Sequence, residues 1–277
     1  KMQDMGEECD FVKDVALEYP LRVTSTILGL PREDEHLILK ITQEMFGNSD
    51  PDLRRGKSMK DTLSIISDLY AYFSEVITSR KNKPTDDLSS VIANAVIDGE
   101  PMNLLDQLNY FIIIATAGHD TTSSALSGGL KALIEHPEQM EKWRHNSDLD
   151  SNATKEIMRW VSPVRHMVRT ATQDFTLRDK QIRAGENIVL WFPAANRDES
   201  VIKNANSFDL NRDPKNNLAF GYGSHMCLGQ HLATAEVEIF FRELLPRLKN
   251  IEMQREPDWI HANFVGGLKS MPISYRF

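Results

Sequence analysis

Residues 220 to 229 read FGYGSHMCLG, and a helical pattern begins directly after Cys227. A cysteine at a helix start meets the positive end of the macrodipole and backbone N–H groups that lack intrahelical partners. Both favour a thiolate over a thiol, and a thiolate can ligate a metal. Gly221 and Gly223 let the loop turn tightly and let its backbone approach a flat cofactor. A single cysteine in a turn is most commonly a small buried hydrophobe, so the spacing of its neighbours has to decide. His225 is a second conceivable ligand, but two residues from Cys227 it can hardly share the same metal, and by itself it reads equally as a solvent-facing loop histidine. Cys9, in EECDFV, has no comparable context and reads as packing.

Two other constellations invite chemistry. The run ATAGHDTTSSALSGG, residues 115 to 129, places Gly, Thr, Ser and Asp inside an otherwise favourable helix. Such residues compete with the helical backbone for hydrogen bonds or cost it entropy, so the run predicts a bulged, functional turn or a break with Asp120 or Thr121 capping a new helix. Glu156 and Arg159, in KEIMRW, lie three apart on one helix face, where a carboxylate and a guanidinium can pair. Most such pairs only decorate a solvated face.

The elements that position these residues are mainly helical. Apolar spacing predicts two short helices between Asp10 and Leu30, and further helices over Asp34–Phe46, Met59–Lys81 and 88–97. It then predicts a long helix from Asn103 to about Glu135, which would run roughly 50 Å if continuous. Two helices follow His136-Pro137, the second over about Ala153–Val161 and stopped by Ser162-Pro163. Residues 164 to 192 hold short β-like segments, 193 to 226 are irregular, and a last helix over Leu228–Leu248 leads into a strand-like tail. The fold class is mainly α with a small β part.

With 277 residues, 41% hydrophobic and 26% charged, the chain can bury one substantial core. Its net charge of −8 and the lack of a basic run argue against a nucleic-acid partner. The most apolar stretch, Tyr110 to Ala117, falls well short of the roughly 20 residues a membrane span needs. The acidic opening KMQDMGEECD predicts no secretory leader, and with two cysteines in unrelated contexts a cytoplasmic protein without membrane attachment is expected.

At every fixed position FGYGSHMCLG resembles the haem-binding signature of cytochrome P450, and the match extends from DFVKDVA to FVGGLKSMPISYRF. Within that family HMCLGQHLA, IFFRELLPRL and ANFVGG are similar to the bacterial enzymes that hydroxylate terpineol. The resemblance implies haem b with Cys227 as the axial iron ligand, supported by Phe220 and Gly221, and with His225 donating to a haem propionate. Arg169, six residues before Phe175, takes the place of a second propionate partner, with Arg165 as its rival. AGHDTT is similar to the family's oxygen-activation motif, which makes Asp120 and Thr121 the acid and alcohol that relay protons, with Gly118 leaving room for dioxygen. Glu156 and Arg159 match the ExxR motif, and Arg212 stands where the family's third partner reaches the pair, a structural trio behind the haem. The implied substrate pocket takes Ile113, Ile114 and Ala117, then Val164, Met167 and Val168, then Phe264 and Val265.

By the same resemblance the reaction is insertion of one oxygen atom from O2 into a C–H bond of a small apolar, terpenoid-like molecule. No GxGxxG fingerprint is present, so electrons are expected from a separate protein, which the resemblance implies is an iron–sulfur ferredoxin served by a reductase. The alternatives are a haem-thiolate peroxygenase and a non-catalytic fragment. The chain is expected to be a single haem domain, residues 1–277, truncated at its N-terminus relative to the family.

Overall fold

The computed structural model describes residues 2–213 and 215–277. They form two compact units. One holds the residues through Ser127 together with 249–262 and 267–277. The other holds 128–248 with 263–266.

The first unit opens with β1 (Glu8–Asp10), then α1 (Glu18–Ile27), α2 (Glu35–Phe46), α3 (Met59–Asn82) and α4 (Leu88–Ala93). Side chains set these starts. Ser58 and Asp61 form a reciprocal capping box on α3, and Asp87 accepts the Ser90 amide at the head of α4. The expected helix over 88–97 stops at Ala93. Beyond it β2 (Val96–Ile97) and β3 (Glu100–Pro101) make a hairpin around Asp98 and Gly99, both at positive φ. Asn103 then caps α5 (Leu104–Ala117), and α6 (Asp120–Glu135) follows after an interruption at Gly118 and His119.

Ile65, Leu69, Phe73 and Ile77 recur at four-residue spacing along α3 and meet Ile38 and Ile41 of α2 and Leu108, Phe111 and Ala115 of α5 in one core. Phe73 and Phe111 stack with centroids 5.0 Å apart. Thus α5 is held by packing right up to the interruption.

In the second unit α6 ends and α7 (Pro137–Arg144) and α8 (Asp150–Val161) follow. Gly128 and Gly129 let α6 lie against α8, because a Cβ at either would come within 2.8 Å of Val161 or Ile157. Ser162, at φ +45°, ends α8 in the left-handed region. Then come β4 (His166–Thr170), β5 (Phe175–Leu177), β6 (Lys180–Ile182), β7 (Asn187–Trp191), the short α9 (Phe192–Ala195) and, after a long irregular stretch, α10 (Gln230–Leu244). β4 pairs antiparallel with β7, and β5 with β6. Trp143 packs on Phe241 of α10 with centroids 5.3 Å apart.

The chain returns to the first unit through β8 (Asn250–Met253), β9 (Asp258–Trp259), β10 (Leu268–Ser270) and β11 (Pro272–Arg276). There β11 pairs with both β1 and β8, and β9 with β10. No helix among the described residues is long and apolar enough to cross a membrane.

Candidate functional site

In the second unit Glu156 and Arg159 of α8 are 3% and 2% exposed. Nε and Nη2 of Arg159 donate to Oε2 and Oε1 of Glu156, each at 2.7 Å. Its other N–H groups reach the carbonyls of Asn196 at 2.7 Å, Ala205 at 2.8 Å and Ser207 at 3.1 Å. All five guanidinium donors are therefore used. Nε of Arg212 reaches the same carboxylate at 3.1 and 3.2 Å, and the Asp209 amide donates to it at 3.0 Å. A charge pair this dry is tolerable because none of its groups is left unpaired. The three residues grouped from the sequence do meet.

This node also pins the cysteine loop, through two asparagines that sequence reasoning passed over. Asn196 is fully buried, donates to Ser162 Oγ at 2.9 Å and accepts the Leu218 amide at 2.8 Å. Asn217 donates to the Lys155 carbonyl of α8 at 2.9 Å. From there the Gly221 amide donates to Leu218, and the Cys227 amide closes the loop on the Phe220 carbonyl, both at 2.9 Å. Gly221 and Gly223 stand at φ +74° and +71°, which only glycine adopts cheaply. Their only sequence signal is an asparagine-rich irregular stretch.

Cys227 and its neighbours from Tyr222 to Gly229 are exposed. Even so, enough protein surrounds the sulfur that desolvation pushes the thiol up, with one opposing contribution from the Gly229 amide. The helix start does not by itself hold a thiolate, because α10 begins only at Gln230 and a single amide reaches the sulfur. His225 is exposed, in a short turn over Gly223–His225. Arg169 is partly exposed on β4, and its Nη1 donates to the adjacent Val168 carbonyl at 2.9 Å. Its rival Arg165 is packed over Gly266, and its buried Nε has no hydrogen-bond partner among the described residues.

Two of the expected pocket segments come together in this unit. Val164 forms a β-bridge with Val265, and the Arg165 amide donates to the Phe264 carbonyl at 2.8 Å. Phe264 and Val168 stay exposed, Val164 and Met167 are half-buried, and Val265 is buried.

In the first unit the interruption between α5 and α6 is local. Gly118 keeps helical angles and donates to the Ile114 carbonyl at 3.0 Å, but a Cβ there would come within 2.8 Å of Thr24 Oγ1. Thr121 Oγ1 donates back to the Ala117 carbonyl at 2.9 Å. Asp120 Oδ1 lies 3.4 Å from His119 Nε2, while the buried Oδ2 has no hydrogen-bond partner among the described residues. Desolvation pushes the Asp120 carboxyl up, and the neighbouring His119 opposes it. Ile113, Ala117 and Thr121 form a stripe at four-residue spacing, exposed at Ile113 and Ala117. Ile114, grouped with them from the sequence, instead packs against the helical core.

The cytochrome P450 family model matches residues 5–276. The chain belongs to the cytochrome P450 family. It is 42% identical over 286 residues to cytochrome P450-terp of a Pseudomonas species, covering 99% of this chain and 66% of that protein. It is 35% identical over 270 residues to a methyl-branched lipid omega-hydroxylase of Mycobacterium tuberculosis, covering 97% of this chain and 63% of the relative. Among solved structures, a cytochrome P450 of Mycobacterium marinum in complex with pseudoionone superposes with a TM-score of 0.93 at 33% identity, over 99% of this chain and 66% of that one. The fold is therefore the cytochrome P450 fold, and the chain spans a little under two thirds of the length of these relatives.

Proteins of this family bind haem iron. The donor set of the second unit fits that group. It offers one accessible sulfur on a loop pinned at both ends, two glycines that keep side chains off the loop backbone, and an imidazole and a guanidinium with N–H groups to spare for carboxylates.

Proposed function

We propose that the chain is part of a haem-thiolate monooxygenase that places one oxygen atom from O2 into a C–H bond of a small apolar, terpenoid-like substrate. The pinned Cys227 loop is the observation that carries this reading. In it Cys227 is the sole protein ligand of the iron, and His225 and Arg169 pair with the propionates. Phe220 and Gly221 shape the loop beside the ring. All 277 residues belong to one haem domain. Glu156, Arg159 and Arg212 act as its foundation, because they fix Asn196 and through it the loop.

When bound, haem supplies the redox chemistry of oxygen. The remaining work falls to side chains. Reducing the second oxygen atom to water takes two electrons and two protons, and Asp120 is suited to hold a proton because burial favours its neutral form. Thr121, whose own hydrogen is engaged with Ala117, can accept from such a donor as it passes its hydrogen on. Gly118, which has no side chain, leaves room beside that step. This pair favours O2 over peroxide as the oxygen source, since a peroxygenase needs no such delivery.

Val164, Met167, Val168, Phe264 and Val265 in the second unit present few hydrogen-bonding groups, as do Ile113 and Ala117 in the first, which suits a compact hydrocarbon-like molecule. The similarity to cytochrome P450-terp and to the structure holding pseudoionone supports that class, and the omega-hydroxylase similarity makes a branched lipid the second choice. Electrons come from an iron–sulfur ferredoxin and its reductase in the cytoplasm. Turnover under labelled dioxygen tests the proposal: with a ferredoxin system and a monoterpene alcohol, one labelled oxygen per product is expected. Product formed only from added peroxide would establish the peroxygenase instead.

A further inference from the structure

His119, the residue before Asp120, is completely buried. Its Nδ1 lies 2.8 Å from the Ala115 carbonyl, and since a carbonyl only accepts, Nδ1 must carry hydrogen. Nε2 then faces two oxygens, Thr42 Oγ1 of α2 at 3.0 Å and Asp120 Oδ1 at 3.4 Å. Thr42 has one hydroxyl hydrogen and a second place to put it, the Leu39 carbonyl at 3.0 Å.

Two arrangements fit these contacts around Nε2. With the Thr42 hydrogen on Leu39 and Asp120 ionised, both oxygens offer Nε2 only lone pairs, so Nε2 carries hydrogen and the imidazolium faces a carboxylate. With the hydroxyl turned toward Nε2, the ring is neutral and the proton resides on Asp120. A purely structural histidine, holding the interruption together through Ala115, accounts for Nδ1 but leaves the placing of Nε2 between two oxygens unused. Two more buried oxygens beside the interruption, Asp120 Oδ2 and Thr24 Oγ1, have no hydrogen-bond partner among the described residues, which marks this as a cluster not optimised for stability alone.

We infer that His119 is a positioning residue that shares one proton with Asp120, with the Thr42 hydroxyl selecting which of the two holds it. The step breaks N–H at Nε2 and forms O–H at Oδ1 as the Thr42 hydrogen swings from Leu39 to Nε2; no electrons change hands. It loads the carboxyl that serves Thr121, and so rests on the monooxygenase reading above.

Two measurements on the haem-loaded protein test it. In the reduced, CO-bound form, the ring 15N signals of His119 should show Nδ1 protonated and Nε2 between its bare and protonated values. Thr42→Val, which removes the competing donor, should move Nε2 toward protonated. A bare Nδ1, or an Nε2 signal indifferent to Thr42→Val, overturns the inference. In turnover, His119→Leu should lower product per electron pair about tenfold, below the roughly hundredfold that a general acid itself supplies. His119→Gln, which keeps a donor, should recover part of this, and His119→Leu should add nothing in an Asp120→Asn background. Normal coupling in His119→Leu with lost coupling in Asp120→Asn sinks the inference alone. Normal coupling in Asp120→Asn sinks the proton-delivery reading beneath it as well.

Discussion

The Glu156–Arg159–Arg212 node and the interruption at Gly118–Asp120 are both polar clusters inside the protein, built to opposite rules. In the node every guanidinium hydrogen of Arg159 has an acceptor, and the shared carboxylate takes two arginines and a backbone amide. At the interruption a carboxyl oxygen and a threonine hydroxyl are buried without partners among the described residues, and a histidine nitrogen faces two oxygens at once. Fully satisfied networks rigidify what they touch, whereas unsatisfied groups cost stability and persist where they serve something else. The node holds the cysteine loop, and in the proposed reading the interruption is where chemistry takes priority over stability.

Substitutions can break that contrast. The largest effect belongs to the node: Arg159→Leu strands a buried carboxylate and should cost about 3–5 kcal/mol by denaturant unfolding. A loss under 1 kcal/mol would mean that the node is not the foundation described. Next comes Gly118→Ala. In an ordinary helix this change gains roughly 0.5–1 kcal/mol, but here the new methyl meets the stiff, β-branched Thr24, so a loss of about 1 kcal/mol is expected by the same measurement.

The smallest effect has the opposite sign to the node's. Asp120 has its carboxyl pKa raised in the folded state, so between the ordinary value of 3.8 and the raised value the unfolded chain loses a proton that the native one keeps. Stability therefore falls as pH rises through that window, and the penalty is absent below 3.8. Asp120→Asn should gain on the order of 1 kcal/mol at neutral pH and nothing in strong acid. A variant destabilised at neutral pH would place Asp120 with the scaffold.

Much of this was legible in the sequence, for local reasons. Asn103 and the apolar spacing after it fix the start of α5, and the Gly-His-Asp-Thr run located the interruption, because propensity and capping act over a few residues. The hairpin over 96–101 was readable too, from Asp98-Gly99, but helical spacing of the preceding residues masked it. The pairing of β1 with β11 joins short strands from opposite ends of the chain, and nothing in either names its partner. The same limit applies to the site. Cys227, Glu156 and Arg159 stand in recognisable local patterns, while Asn196 matters through contacts with residues 162 and 218, and His119 through one with Thr42. Glu236 on α10 shows the cost of missing burial, since desolvation pushes its carboxyl up to about 8 while its sequence context looks like an ordinary helix face.

The central claim, that the pinned loop presents Cys227 as the iron ligand, is tested most directly by the absorption spectrum of the reduced, CO-treated protein beside that of Cys227→His. A strongly red-shifted Soret band in the wild type that disappears in Cys227→His is the expected result. A band that survives the substitution, or a haem-loaded wild type that never shows it, would contradict the account.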